Sequence, residues 1–262
     1  MRYMPTGGYI EGNSLLHKLD AFVKLLCTFL LLASVIVSDT IVGYVLVIAL
    51  LTVTVKMSSL GLRNVLRGVK HMWLFFFVIF LMNAVFHETA QPLWSWWIFH
   101  FSFEGTLQGF HVVLRVILAM ILGNLLVSTT SPLDIVGALE TLLFPLKYAG
   151  VPIQDVAMIL GVAIQFIPTF LEEAAMIKKA QTARGARFES RKITERTQSL
   201  LPLIVPIFLS AFRRADELSV AMESRGYHRT KKKGKLRKRH LSLADVSALL
   251  LSCLFCIIEI IV

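Results

Sequence analysis

The chain has 262 residues, 56% of them apolar, a mean hydropathy of +0.70 and a formal net charge of +10. That apolar share excludes an ordinary soluble domain. Residues 178–239 hold 18 of the 27 Lys and Arg and 5 of the 17 Asp and Glu, so this block is net +13 and the rest −3.

Taken in order, five apolar runs have the roughly 20 residues that a helical bilayer crossing needs. They lie at about 21–38, 40–56, 72–87, 107–127 and 242–262. The first follows some twenty mixed residues, so no cleavable signal is read there. Between the runs, the charges set an orientation. Arg2 and Lys18 precede the first run, and the turn Ser38-Asp39-Thr40 has no cation. Lys56, Arg63, Arg67 and Lys70 lie between the second and third, and residues 88–106 contain Glu88 and Glu104 but neither Lys nor Arg. With the basic block after the fourth run, the pattern alternates in and out, N-terminus inside and C-terminus outside. Trp94, Trp96, Trp97, Phe99, Phe101 and Phe103 fall in the outer loop, where an interfacial aromatic belt belongs.

Residues 153–171 and 199–212 are also apolar enough to cross. If both did, Lys178, Lys179, Arg184, Arg187, Arg191, Lys192 and Arg196 would lie outside, against the positive-inside bias. Pro168, Pro202 and Pro206 interrupt the apolar runs, and Gln165 with Glu172-Glu173 is costly in lipid. The expectation is therefore a pair of long amphipathic helices at or below the inner face, the first from about Val151 to Ala183. This divides the chain into transmembrane helices over 1–127, a cytoplasmic coupling-helix region over 128–240 and a final transmembrane helix over 241–262. The fold class expected is an all-α polytopic membrane protein with about five transmembrane helices and two long crossing cytoplasmic helices.

Those two helices end alike. Pro168-Thr169-Phe170-Leu171 leads to Ala183-Arg184-Gly185, and Pro206-Ile207-Phe208-Leu209 leads to Ser224-Arg225-Gly226. Ala180 and Ala221 stand four residues before the respective arginines, which are 41 positions apart. Gly185 and Gly226 suit the left-handed position that closes a helix. Each arginine then occupies the negative end of a helix dipole. A helix tip with small neighbours and one projecting arginine fits a narrow groove lined by a carboxylate. Two such tips imply a partner with two sockets.

The remaining candidates read as structural. Arg115 within the fourth run is either an intramembrane functional residue or one that snorkels outward. The run from Arg229 to Arg239 is a juxtamembrane anchor for anionic lipid rather than an RNA site, because a span follows at once. His87, His100 and His111 lack metal-ligand spacing, and Cys253 and Cys256 form a C-x-x-C inside an apolar run, where cysteine behaves as a small hydrophobe. With Cys27, three cysteines make no disulfide framework. Glu172-Glu173 reads as a solvated face or an ion-pair partner of Lys178 and Lys179. No Walker A, H-E-x-x-H or G-x-S-x-G pattern occurs. No catalytic residue, cofactor or metal site is therefore assigned.

The order of the motifs resembles one family nearly end to end. Asn13-Ser14-Leu15-Leu16-His17-Lys18-Leu19-Asp20 with Lys24 is similar to the opening of the transmembrane T component of energy-coupling factor (ECF) transporters. Ser128-Thr129-Thr130-Ser131-Pro132 resembles its Thr-rich turn. Phe166-Ile167-Pro168-Thr169, Glu172-Glu173, Ala180-Gln181, Leu200-Leu201-Pro202-Leu203, Ala211-Phe212-Arg213-Arg214-Ala215 and Ala221-Met222-Glu223-Ser224-Arg225-Gly226-Tyr227 follow in family order. Ala21-Phe22 stands where the family often has Pro-Arg, and Ser224 replaces an alanine. The resemblance implies a non-catalytic scaffold of a bacterial plasma-membrane importer. Its expected partners are two ATP-binding-cassette subunits, which hydrolyse ATP, one or more substrate-binding S components for a vitamin or other micronutrient, and membrane lipid. It implies ATPase docking by Ala183, Arg184, Gly185, Ser224, Arg225 and Gly226. The competing reading is a self-sufficient channel or secondary transporter, in which residues 153–171 and 199–212 span. With the three native cysteines replaced, Arg187→Cys should react with a membrane-impermeant maleimide only after permeabilisation. Labelling in intact cells would establish the competing topology.

Overall fold

In a computed structural model, the described residues are 9–10, 12, 14–38, 40–58, 61, 68–86, 94–96, 99–101, 103–190, 192–227 and 242–261. They fall into two compact units, one of residues 1–142 with 240–262 and the other of residues 143–239.

The first unit holds α1 (Leu15–Lys18), α2 (Ala21–Val37), α3 (Ile41–Met57), α4 (Trp73–Phe86), the strands β1 (Trp94–Trp96) and β2 (Phe99–Phe101), α5 (Phe103–Thr129), α6 (Pro132–Leu143) and α9 (Leu243–Ile261). The helix starts follow from short polar side chains that accept otherwise orphaned amide hydrogens. Asp20 Oδ1 accepts from Phe22 N–H at 2.8 Å, and Thr40 Oγ1 from Gly43 N–H at 3.3 Å. Ser131 Oγ accepts from Asp134 N–H at 3.2 Å and donates to Asp134 Oδ2 at 2.6 Å, so the Thr-rich turn is the cap of α6. The five apolar runs therefore become α2, α3, α4, α5 and α9 within a few residues of the expected bounds.

The core joins α2, α3 and α5 through Val35, Tyr44, Val47, Leu51, Leu118 and Leu122. The outward faces carry Phe29, Ile41, Trp73, Leu74, Phe110 and Leu250, all well exposed, as surfaces facing hydrocarbon rather than water would be. Gly109 brings α5 close to α4, where a Cβ would lie 3.1 Å from the Phe80 carbonyl oxygen. Helices α2 and α9 run side by side in the same direction. Asp20 N–H donates to Asp245 Oδ1 at 2.9 Å, and Ser252 Oγ approaches Cys27 Sγ at 3.4 Å, both at a separation of 225 residues. One heptad further, that register brings Ser34 level with Glu259, both buried.

Within the all-α fold, the aromatic loop forms a short two-stranded antiparallel hairpin. Trp94 pairs with Phe101, Ser95 with His100 and Trp96 with Phe99. The signal was present in Trp-Ser-Trp and Phe-His-Phe, which alternate with the period of a strand and use residues favoured there. Trp97 and His87 lie outside the described residues. Arg115 neither snorkels freely nor stands alone. Its Nη2 donates to the Ser38 carbonyl at 2.8 Å and to the Tyr44 hydroxyl at 3.2 Å, binding the end of α2 to the start of α3. His111 meets the Tyr44 ring edge-on at 5.3 Å.

Lys24 ties separate motifs of the sequence into one knot. It is only 8% exposed. Its ammonium donates to the carbonyls of Thr129 at 2.9 Å and His17 at 3.4 Å, and Asp134, Asp20 and Asp245 act on it electrostatically. Ile10 N–H adds a 3.1 Å bond to the Ser128 carbonyl. The opening motif and the Thr-rich turn, more than a hundred residues apart, thus close on each other. Replacing Lys24 by Met leaves the Thr129 and His17 carbonyls without their shared donor, at a cost of about 1–3 kcal/mol. Thermal unfolding in detergent should show this loss, and a change below about 1 kcal/mol would contradict the central role given to Lys24.

Candidate functional site: the paired helix tips

The second unit consists of a 3₁₀ turn (Phe144–Ala149) and two long helices, α7 (Ile153–Ala183) and α8 (Ile193–Ser224). At 31 and 32 residues they are each about 47 Å long. Both run through their prolines, Pro168 in α7 and Pro202 with Pro206 in α8. Each proline forfeits one hydrogen bond of a ladder long enough to continue on both sides.

Three contacts show that the helices are antiparallel. Arg187 N–H donates to Ser199 Oγ at 3.0 Å near their connection. Arg214 Nη2 meets Glu173 Oε2 at 3.4 Å further along, and its guanidinium carbon lies 5.7 Å from the centre of the Phe170 ring. Tyr227 OH reaches Asp155 Oδ1 at 3.4 Å beyond the end of α8. The connection is itself ordered by charge. Glu195 faces Arg187 at 3.5 Å and Lys192 at 3.6 Å, and accepts from Ser190 Oγ at 2.9 Å. The Ser190 hydroxyl, followed by these cations, holds the Glu195 carboxyl below the ordinary carboxylate range.

Of the two readings of Glu172-Glu173, the solvated face holds for Glu172, which is exposed, while Glu173 pairs with Arg214 and not with Lys178 or Lys179. Lys178 stands five positions from Glu173, about 140° around the helix, and so cannot face it. It sits instead 5.8 Å over the Phe188 ring.

The two triplets close their helices with the same backbone device. Arg184 and Arg225 are the C-caps. Gly185 has φ 89° and Gly226 φ 72°, the left-handed conformation that glycine adopts without a steric cost. In the first, Ala186 N–H donates to the Gln181 carbonyl and Gly185 N–H to that of Thr182, both at 3.0 Å. In the second, Tyr227 N–H donates to the Met222 carbonyl at 3.0 Å and Gly226 N–H to that of Glu223 at 2.9 Å. Both are therefore Schellman motifs, matched bond for bond. Ala183, Arg184, Gly185, Ser224, Arg225 and Gly226 are all exposed. Among the described residues neither guanidinium has an ion-pair or hydrogen-bond partner. Each tip thus presents one cation beside small residues at a helix end.

Residues 12–236 match the protein family CbiQ, described as cobalt transport protein. A protein of Ruminiclostridium cellulolyticum named energy-coupling factor transporter transmembrane protein EcfT is 37% identical over 248 residues, which cover 94% of this chain and 92% of that one. The chain belongs to the EcfT family. The member from Bacillus subtilis is 35% identical over 251 residues, covering 95% of this chain and 94% of its own, and that from Acidaminococcus fermentans 37% over 224 residues, covering 84% and 82%. The broader family's description names cobalt, whereas these EcfT names specify no cargo.

Reading the EcfT motifs along the chain locates both tips, but two arrangements needed tertiary contacts to be seen. These are the Lys24 knot and the Glu173–Arg214 pair, whose members are 41 residues apart. Among the described residues, no three His, Cys, Asp or Glu side chains converge as a metal-binding group. Putting alanine at either closing glycine forces a Cβ into the left-handed region, at about 1–2 kcal/mol. In Gly185→Ala and Gly226→Ala, the amide hydrogens of Ala186 and Tyr227 should therefore exchange about 5–30 times faster. Unchanged exchange at both would remove the conformational role assigned to the glycines.

Proposed function

We propose that the chain is the non-catalytic coupling subunit of an ECF-type importer in the bacterial plasma membrane, N-terminus in the cytoplasm. Arg184 and Arg225 each dock on one of two ATP-binding-cassette ATPases, with Ala183, Gly185, Ser224 and Gly226 providing the clearance. ATP-driven opening and closing of the ATPases moves α7 and α8, and these pass the motion to a substrate-binding S component carrying a vitamin or other micronutrient. The observation that carries this reading is the pair of matched Schellman ends, each exposing an arginine at the tip of a helix about 47 Å long. A cation on a rigid tip makes charge-assisted, often bidentate bonds with a carboxylate groove. Once desolvated, such a pair is costly to break, by about 3–5 kcal/mol.

The opposing reading, a self-sufficient channel or secondary transporter, draws on the length and hydropathy of Ile153–Ala183, which with Phe103–Thr129 is long and apolar enough to cross a membrane. The cations that follow Ile177 favour the docking reading, because a full crossing would export them.

The double variant Arg184→Glu/Arg225→Glu should insert normally and lose the ATPases on affinity purification. Each single variant should weaken their retention by roughly two to three orders of magnitude in affinity. Full recovery of both ATPases with the double variant would reject the proposal.

A further inference from the structure

We propose that the Glu173–Arg214 ion pair is the pivot of the coupling helices, a local two-fold centre from which the two docking arginines extend by equal and opposite reach. The inference rests on reading Arg184 and Arg225 as ATPase-docking residues, and it adds a positioning pair that the docking reading does not require.

The two arginines are 41 residues apart, and so are Glu173 and Arg214. Each member of the pair stands 11 residues before its own arginine. Eleven residues make three helical turns within about 20°, so Glu173 shares a face of α7 with Arg184, and Arg214 shares a face of α8 with Arg225. Laying the first tip on the second therefore lays Glu173 on Arg214. In an antiparallel pair, two equivalent positions can touch only at the two-fold axis that relates them. The 3.4 Å contact between Glu173 and Arg214 marks that axis.

A second contact checks the symmetry. The same 41-residue shift sends the Arg187–Ser199 contact to residues 228 and 158. The Tyr227–Asp155 contact lies within one turn of that image. Chemistry explains why the repeats differ where they meet. Identical charges at an axis repel, whereas a carboxylate opposite a guanidinium attracts, and Phe170 supports the guanidinium from one side. Side-chain exposures of 22% for Glu173 and 35% for Arg214 keep the pair partly shielded from water.

The consequence is mechanical and geometric. Each arginine lies about 16 Å along its helix from the pivot, in opposite directions, so the two are about 33 Å apart measured along the helices through the pivot. They are related by a near two-fold rotation, as two homologous ATPase subunits would be. A displacement applied at one tip is then returned at the other with equal amplitude, provided that the pivot holds.

The test uses the full transporter complex in proteoliposomes, together with spin labels at the exposed positions Thr182→Cys and Glu223→Cys in a chain whose native cysteines are replaced. Glu173→Gln and Arg214→Ala should each retain both ATPases and hydrolyse ATP within about twofold of the parent. Substrate carried per ATP should fall about tenfold, a typical size for a coupling defect. The distance distribution between the labels should broaden, whether or not ATPases are bound. The charge-swapped variant Glu173→Arg/Arg214→Glu should recover the narrow distribution and most of the transport. Arg214→Lys, which keeps the charge without the planar fork, should lie between. Unchanged transport per ATP with an unchanged distance distribution in the single variants overturns the pivot. So does a swap no better than the singles, or loss of the ATPases from the singles. Retention of the ATPases by Arg184→Glu/Arg225→Glu instead defeats the docking reading, while the label distances still judge the pivot.

Discussion

A lysine removed from water must find acceptors, and the first unit is arranged around one that does. Lys24 lies in the second turn of α2, only 8% exposed, with the Thr129 and His17 carbonyls as acceptors and Asp20, Asp134 and Asp245 nearby. Desolvating an ammonium costs several kcal/mol unless such partners are in place. Five chain segments are therefore held together at a single group: the stretch around α1, the start of α2, the end of α5, the cap of α6 and the start of α9. Asp245 strengthens the junction by accepting from both the Asp20 and Ser242 amides.

The same economy recurs at the other end of the helices. Arg115 spends its guanidinium on a carbonyl at the end of α2 and a hydroxyl in α3. In a membrane such polar groups have no water to fall back on, so internal partners decide where helices begin and end. The surrounding surface is apolar because lipid, unlike water, sets no premium on burying Leu or Phe. This is why Phe29, Trp73 and Leu74 point outward while Ser34 and Glu259 are enclosed.

The second unit follows another logic. Its helices carry cations in their outer halves and prolines in their apolar parts, and they contact each other through a few polar and aromatic groups. Few contacts along great length make a structure in which motion at a tip is not absorbed by a packed core. The Schellman ends are rigid by comparison, because each fixes two carbonyls and a left-handed glycine. The proposed docking role draws on this combination of closed tips and lightly braced helices.

Much of this was legible from residue order alone. Hydrophobic run length located α2, α3, α4, α5 and α9 as helices, because a continuous apolar run of 14 residues or more is too long for an ordinary strand. Glycine after arginine determined both helix ends, because the backbone geometry of a Schellman turn is local. The family followed from motif order. Residue order does not reveal the hairpin, because three-residue alternations are short beside the surrounding helix signals and aromatic residues suit an interfacial belt equally well. Neither a solvated face nor a neighbouring lysine describes Glu173, because local spacing says nothing of a partner 41 residues away. Which carboxylates surround Lys24, which acceptors Arg115 finds and which helix answers Glu173 were decided only by tertiary structure. Charge pairing depends on distances between segments, and those distances exist only once the chain has folded.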